Sequence, residues 1–126
     1  MYHSNLFFEF CKDRNIREST QQGYVSTIQL YTNLHGCTIE ELIKEAEFDE
    51  KNRIPLKERR LKKRLLDYRT YLLESDLSTN TVKTYFSKLK TFYRHYEIEI
   101  PHLPDVKYNS EYEINYMDLP TKKKYP

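Results

Sequence analysis

The chain has 126 residues, enough for one domain with a modest core, and its 21 Lys and Arg against 19 Asp and Glu leave a formal net charge of +2. Only 38% of residues are hydrophobic, but 12 Tyr and 6 Phe supply large rings that fill a core while keeping a polar end near water. Two Gly and no Gly-rich loop argue against a nucleotide cradle, and no long apolar run or basic-then-apolar leader marks a membrane span or secretion signal, so a cytoplasmic protein is expected.

Tyr2 to Arg14 carries Leu6, Phe7, Phe10 and Cys11 at a helical period and predicts a first helix. Ile16 to Ser19 reads as a turn. Thr20 to Leu34 predicts a second helix with Tyr24, Val25, Ile28 and Tyr31 inward, ended by His35-Gly36. Thr38-Ile39-Glu40-Glu41 fits a capping box that opens a short acidic third helix to about Phe48. Asp49 to Arg53 reads as a polar loop, and Pro55 as the start of a long fourth helix, Leu56 to Leu73. Its inward row is Leu61, Leu65, Tyr68 and Leu72, widened by Leu66 and Leu73. Ser78 or Thr79 caps a fifth helix with the row Val82, Tyr85, Leu89, Phe92 and Tyr96. From Pro101 on, four prolines interrupt any helix. The fold class expected is all-α: four long helices and one short one, over residues 1–100, with an extended C-terminal tail at 101–126.

Two parts of this pattern are one pattern repeated. Ile16-x-x-Ser19-Thr20-x3-Tyr24-x3-Ile28-x2-Tyr31 returns 61 residues later as Leu77-x-x-Asn80-Thr81-x3-Tyr85-x3-Leu89-x2-Phe92. At the same offset Phe7, Phe10 and Cys11 map onto Tyr68, Tyr71 and Leu72, so the repeating unit is a helical hairpin. The polar stripes correspond too. Gln22, Ser26, Gln29 and Asn33 become Lys83, Ser87, Lys90 and Arg94, each set following one side of a helix without a carboxylate.

Charge is segregated along the chain. Glu40 to Lys51 holds six acids against two bases, and Arg53 to Arg69 eight bases against two acids. No acid lies between Asp76 and Glu97, where Lys83, Lys88, Lys90 and Arg94 stand. Fields act over about 8 Å in physiological salt, so these blocks matter more than the total. The cations of the fourth helix fit a solvated face as well as a binding surface. Those of the fifth helix favour a polyanion. Ser78, Thr79, Asn80 and Thr81 at its N-terminus exceed what a cap needs and suit a phosphate contact. The amide-rich stripe of the second helix fits adenine edges in a major groove, or equally a polar interface with another protein.

No catalytic set emerges. His3, His35, His95 and His102 lack metal-ligand spacing, and Glu40, Glu41 and Glu45 read as a solvated face, so neither a metal nor a cofactor is expected. Cys11 and Cys37 are expected as thiols rather than a disulfide.

Leu77-Ser78-Thr79-Asn80-Thr81-x3-Tyr85-x3-Leu89-x2-Phe92-Tyr93 resembles the N-terminal core-binding domain of tyrosine recombinases, the phage-integrase family, and the upstream copy from Ser19 to Tyr31 is similar to that family's first hairpin. Met117-Asp118-Leu119-Pro120-Thr121-Lys122 resembles the junction with the catalytic domain. The resemblance implies a SAM-like fold that clamps double-stranded DNA for integration or excision, beside other protomers and its own catalytic domain. It implies DNA contacts at Thr20, Gln22, Ser26, Ser78, Thr79, Thr81, Lys83, Ser87, Lys90 and Arg94. The family's catalytic arginine, lysine, His-x-x-Arg and tyrosine belong to a domain beyond Pro126. No His-x-x-Arg occurs here, so the chain alone is expected to cut and join nothing, as a fragment of a longer enzyme. Two other readings are a helical protein-interaction bundle whose basic fourth helix meets an acidic partner, and a stand-alone DNA-binding regulator.

Overall fold

Among the described residues, four of the five α-helices end in the same way, with one residue turned into the left-handed region and the next N–H reaching back five residues. This is seen in a computed structural model that describes residues 5–104. Helix α1, Asn5–Asp13, stops at Asn15 (φ 50°), with the Ile16 N–H donating to the Cys11 carbonyl at 3.0 Å. Helix α2, Glu18–His35, stops at Gly36 (φ 65°), with the Cys37 N–H on the Thr32 carbonyl. Helix α3, Ile39–Lys51, stops at Arg53 (φ 57°), and the Ile54 N–H meets the Asp49 carbonyl. Helix α5, Thr79–His95, stops at Glu97 (φ 62°), and the Ile98 N–H meets the Tyr93 carbonyl. Each arrangement satisfies carbonyls that a helix end leaves open. Only Gly36 announced itself in the sequence; Asn15, Arg53 and Glu97 adopt the conformation because tertiary packing outweighs its local cost.

The all-α architecture is as expected, and no strand occurs among the described residues, including Glu97 to Ile100. Three boundaries and one buried face differ. Helix α2 begins at Glu18, so Glu18 and Ser19, expected in a turn, are helical. Helix α3 does not end near Phe48. It runs 13 residues, so Asp49, expected in a loop, is helical and buried. The fourth helix does not start at Leu56. Leu56–Glu58 form one 3₁₀ turn, Arg59 is extended (ψ 146°), and helix α4 is Arg60–Glu74. The fifth helix buries Phe86 and Tyr93, leaving Tyr85 and Tyr96 half-buried. A three-sided environment of α2, α4 and α1 admits a wider apolar arc than the single row the period suggests.

Helix α2 makes its most extensive contact with α5, and α4 packs on both α5 and α3. Ile28 and Leu89, and Tyr31 and Phe92, pairs related by the 61-residue offset, are all fully buried. The equivalence weakens in the first helix of each hairpin, since Phe10 is buried and its counterpart Tyr71 is exposed. Hydroxyl groups tie the helices together where they would otherwise be buried without partners. The Thr27 hydroxyl donates to the Tyr85 carbonyl at 2.9 Å, so the Tyr68 hydroxyl shares its proton between the Thr27 hydroxyl oxygen at 2.6 Å and the Thr27 carbonyl at 3.1 Å. The Tyr31 and Tyr93 hydroxyls bond each other at 2.8 Å. Burial pushes the Tyr68 hydroxyl up to about 12 and those of Tyr31 and Tyr93 well above the ordinary tyrosine value.

Helix α1 is fastened by the Tyr96 hydroxyl, which donates to the Leu6 carbonyl, and by Phe10, whose ring meets Tyr24, Phe92 and His95. After α5 the chain stays on the bundle, with Ile98 and Pro101 buried and Leu103 packed on the core. The Glu99 N–H donates to the Glu50 carboxylate at 2.9 Å. The Met117 to Lys122 segment lies outside the described residues. Cys11 and Cys37 are both free thiols.

Candidate nucleic-acid interface

Helix α5 begins at Ser78, whose hydroxyl accepts the Thr81 N–H at 3.2 Å and bonds the Thr81 hydroxyl at 2.9 Å. These two hydroxyls are thus occupied by the cap, the simpler of the two readings of that sequence. Past the cap, Lys83, Ser87 and Arg94 are exposed and Lys90 half-buried, so the stripe stands outside the core along three turns.

The flank of the stripe toward α2 forms an open groove of about 370 Å³ lined by Tyr24, Lys83, Thr84, Ser87, Lys88 and Thr91. Lys88 crosses from α5 onto α2, its Nζ 4.4 Å from the centre of the Tyr24 ring. It runs past Gly23, where a Cβ would stand 2.9 Å from the Lys88 Cε. Lys88 stood in sequence only as one of the cations of the fifth helix, outside the polar stripe, and Gly23 not at all, because the stripe rule selects one side of one helix and this contact joins two.

The opposite flank faces α4. The Lys90 Nζ lies 5.0 Å from the centre of the Phe86 ring, and the Arg69 guanidinium of α4 lies 5.9 Å from it. Burial holds the Lys90 ammonium below the usual lysine value, and Arg94 and Arg69 add to that by repulsion. Among the described residues Lys88, Lys90, Arg94 and Arg69 form no ion pair. Two cations share the Phe86 ring and a third, Arg94, adds its repulsion to Lys90, with no described ion pair to offset them.

The larger basic block, on α4, is different. Arg64 makes a two-pronged contact with Glu45 of α3 at 2.7 and 2.9 Å. Arg60 does the same with Asp49 at 2.7 and 3.2 Å, while Arg59 lies 3.6 Å from Glu50. Lys63 pairs with Asp67 at 3.0 Å along the helix. Arg59, Arg60 and Arg64 of the basic block thus take their partners from the acidic block that precedes it in sequence.

On α2, Gln22 is exposed and Ser26 half-buried on the side away from Tyr24, Ile28 and Tyr31, whereas Thr20 is exposed at the start of the helix, one turn before Tyr24 on the same side as the core row. No described hydrogen bond or ion pair joins them to the α5 residues. Thr79 is half-buried at the start of α5. Among the described residues no group of three or more His, Cys, Asp or Glu is placed to hold a metal ion, and no helix is long and apolar enough to cross a membrane. What the face offers chemically is donors: ammonium, guanidinium, hydroxyl and amide groups. No family model, curated protein or solved structure matches this chain.

Proposed function

We propose that this chain is a double-stranded DNA-binding module whose contact surface centres on α5, with α2 beside it. The observation that carries this reading is the contrast between the two basic blocks. The arginines of α4 that face α3 are paired with carboxylates, whereas Arg69, Lys90 and Arg94 are crowded together without one among the described residues. Like charges held together cost free energy in the unbound protein, and a polyanion relieves it. The same contrast weakens the alternative of an acidic protein partner for α4, because α3 already fills that role.

The motif from Leu77 to Tyr93 carries the more specific proposal, that the module belongs to a tyrosine recombinase and works with a catalytic domain and other protomers on DNA. Thr20, Gln22, Ser26, Thr79, Lys83, Ser87, Lys90 and Arg94 are its contacts, together with Arg69. Ser78 and Thr81 contribute through the cap they form.

The test is a salt titration of binding to a short duplex. Neutralising about four phosphates gives a log–log slope near −3 to −4. A slope near zero, or no duplex affinity at low salt, overturns the DNA reading. Coding sequence downstream that lacks a His-x-x-Arg followed by a tyrosine removes the recombinase assignment and leaves DNA binding standing.

A further inference from the structure

We infer that the groove between α2 and α5 seats one backbone phosphate of the bound duplex, gripped by Lys88 and Lys83, and that Gly23 is glycine so that Lys88 can lie there. The inference rests on the DNA-binding reading and adds a defined seat to it.

Three observations converge. First, the groove is lined by two ammonium groups and by the hydroxyl-bearing residues Thr84, Ser87 and Thr91, with no carboxylate. That set suits a tetrahedral oxyanion, which accepts from every one of those groups. Second, Lys88 is held in place. Its ammonium lies over the Tyr24 ring, which attracts the cation electrostatically and leaves the side away from the ring open to a ligand. A lysine ordered in advance loses less freedom on binding than one free in solvent. Third, Gly23 sits in the interior of an 18-residue helix, where glycine is unfavourable relative to alanine. Its φ is not positive and no turn requires it; the space it leaves is taken by the Lys88 side chain, with Nζ 3.6 Å and Cε 2.9 Å from the position of a Cβ.

The groove is open to solvent, so a polymer backbone can reach it as readily as a free ion. The two sources share one chemistry and are separated by experiment. Duplex binding is measured by fluorescence anisotropy across a salt series for the wild type, Lys88→Ala, Gly23→Ala and Arg94→Ala, with thermal melts of each. Lys88→Ala is expected to flatten the log–log slope by about one and lower affinity about five- to tenfold near 0.1 M salt. Gly23→Ala keeps every charge and is expected to melt at the same or a higher temperature, yet to bind duplex about threefold or more weakly because Lys88 is displaced. That divergence of stability and binding is something a purely structural glycine would not produce. Lys88→Ala carries the test by itself should Gly23→Ala disturb α2.

Wild-type binding by Lys88→Ala, with loss in Arg94→Ala, overturns the seat and spares the DNA face. Absence of duplex binding by the wild type overturns both. If inorganic phosphate at matched ionic strength shifts the amide signals of Thr84, Ser87 and Thr91 while duplex does not, the seat serves a free ion and the duplex assignment is wrong.

Discussion

The Asp49 carboxylate of α3 grips the Arg60 guanidinium at 2.7 Å and also accepts the Arg60 backbone N–H at 3.0 Å. Arg60 is the first residue of α4, and the residue before it, Arg59, provides no side-chain cap. A buried acid on one helix therefore caps the next helix and neutralises its first cation.

Asp49→Ala is expected to cost about 2–3 kcal/mol, combining a lost cap with a lost charge-assisted pair, whereas Asp49→Asn keeps an acceptor and costs about 1. Bonding to Arg60 holds the Asp49 carboxyl below its usual value, so the unfolded chain takes up its proton first. The stability it provides is complete above pH 4 and is lost as pH falls through the lower folded value. Denaturant melts at pH 7 and pH 3 should show a drop that shrinks in Asp49→Asn. An equal drop in both proteins would refute the assignment.

At the alkaline end the sign is reversed in origin but again opposes folding. Tyr31, Tyr68 and Tyr93 keep their protons in the fold to higher pH than in the unfolded chain. Stability is full below about pH 10 and is lost as pH rises past it. Removing one hydroxyl by Tyr93→Phe leaves the Tyr31 hydroxyl buried without its bond and should cost about 1–2 kcal/mol at pH 7. A double-mutant cycle with Tyr31→Phe reads the coupling. Zero coupling would mean that the two hydroxyls do not bond in solution.

Truncation should separate positions that the apolar period alone treats alike. Leu89 is fully buried and Leu89→Ala should cost about 2–5 kcal/mol, while Phe86→Ala should cost about 3–5. Tyr85 is half-buried, and its backbone carbonyl, not its ring, receives the Thr27 hydroxyl, so Tyr85→Ala should cost less than either. Chemical denaturation of the three variants gives the order directly, and Tyr85→Ala as the most damaging would contradict the helix orientation described.

Two helix ends store local cost. Arg53 and Glu97 occupy left-handed backbone, and both are exposed. Arg53→Gly and Glu97→Gly should each raise stability by about 0.5–1 kcal/mol, since glycine takes that conformation without a Cβ clash. Lower melting temperatures in both would rule out the left-handed assignment.

On the proposed DNA face, Arg69→Ala and Lys90→Ala should each flatten the salt slope by about one. Lys83→Ala should do the same, with its melting temperature almost unchanged because Lys83 is exposed. Lys90→Ala should also loosen the packing over Phe86 slightly. Unchanged slopes in all three would place the binding surface elsewhere.

Local chemistry made much of this fold legible from the residues. The capping box at Thr38 and Glu41 forms with contacts of 2.8 and 3.1 Å, and Gly36 ends α2 as its position suggested. The buried row of α4 follows the apolar period, and that of α2 does so at Tyr24, Ile28 and Tyr31, with Thr27 fully buried and Val25 only half-buried. A helix repeats its faces with a period set by the backbone, while its neighbours decide which flank is covered. The doubled spacing identified Ile28 with Leu89 and Tyr31 with Phe92, and both pairs reach the core.

What the tertiary structure decided is which charges find partners. Read in order, Glu45, Asp49, Arg60 and Arg64 form two opposed blocks; folded, they cancel across the α3–α4 contact. Arg69 joins Lys90 around Phe86 from a separate helix, and Lys88 reaches the ring of Tyr24, 64 positions earlier in the chain. Electrostatic and ring contacts depend on separations of a few ångströms between helices, and a periodic pattern along one helix carries no record of those distances.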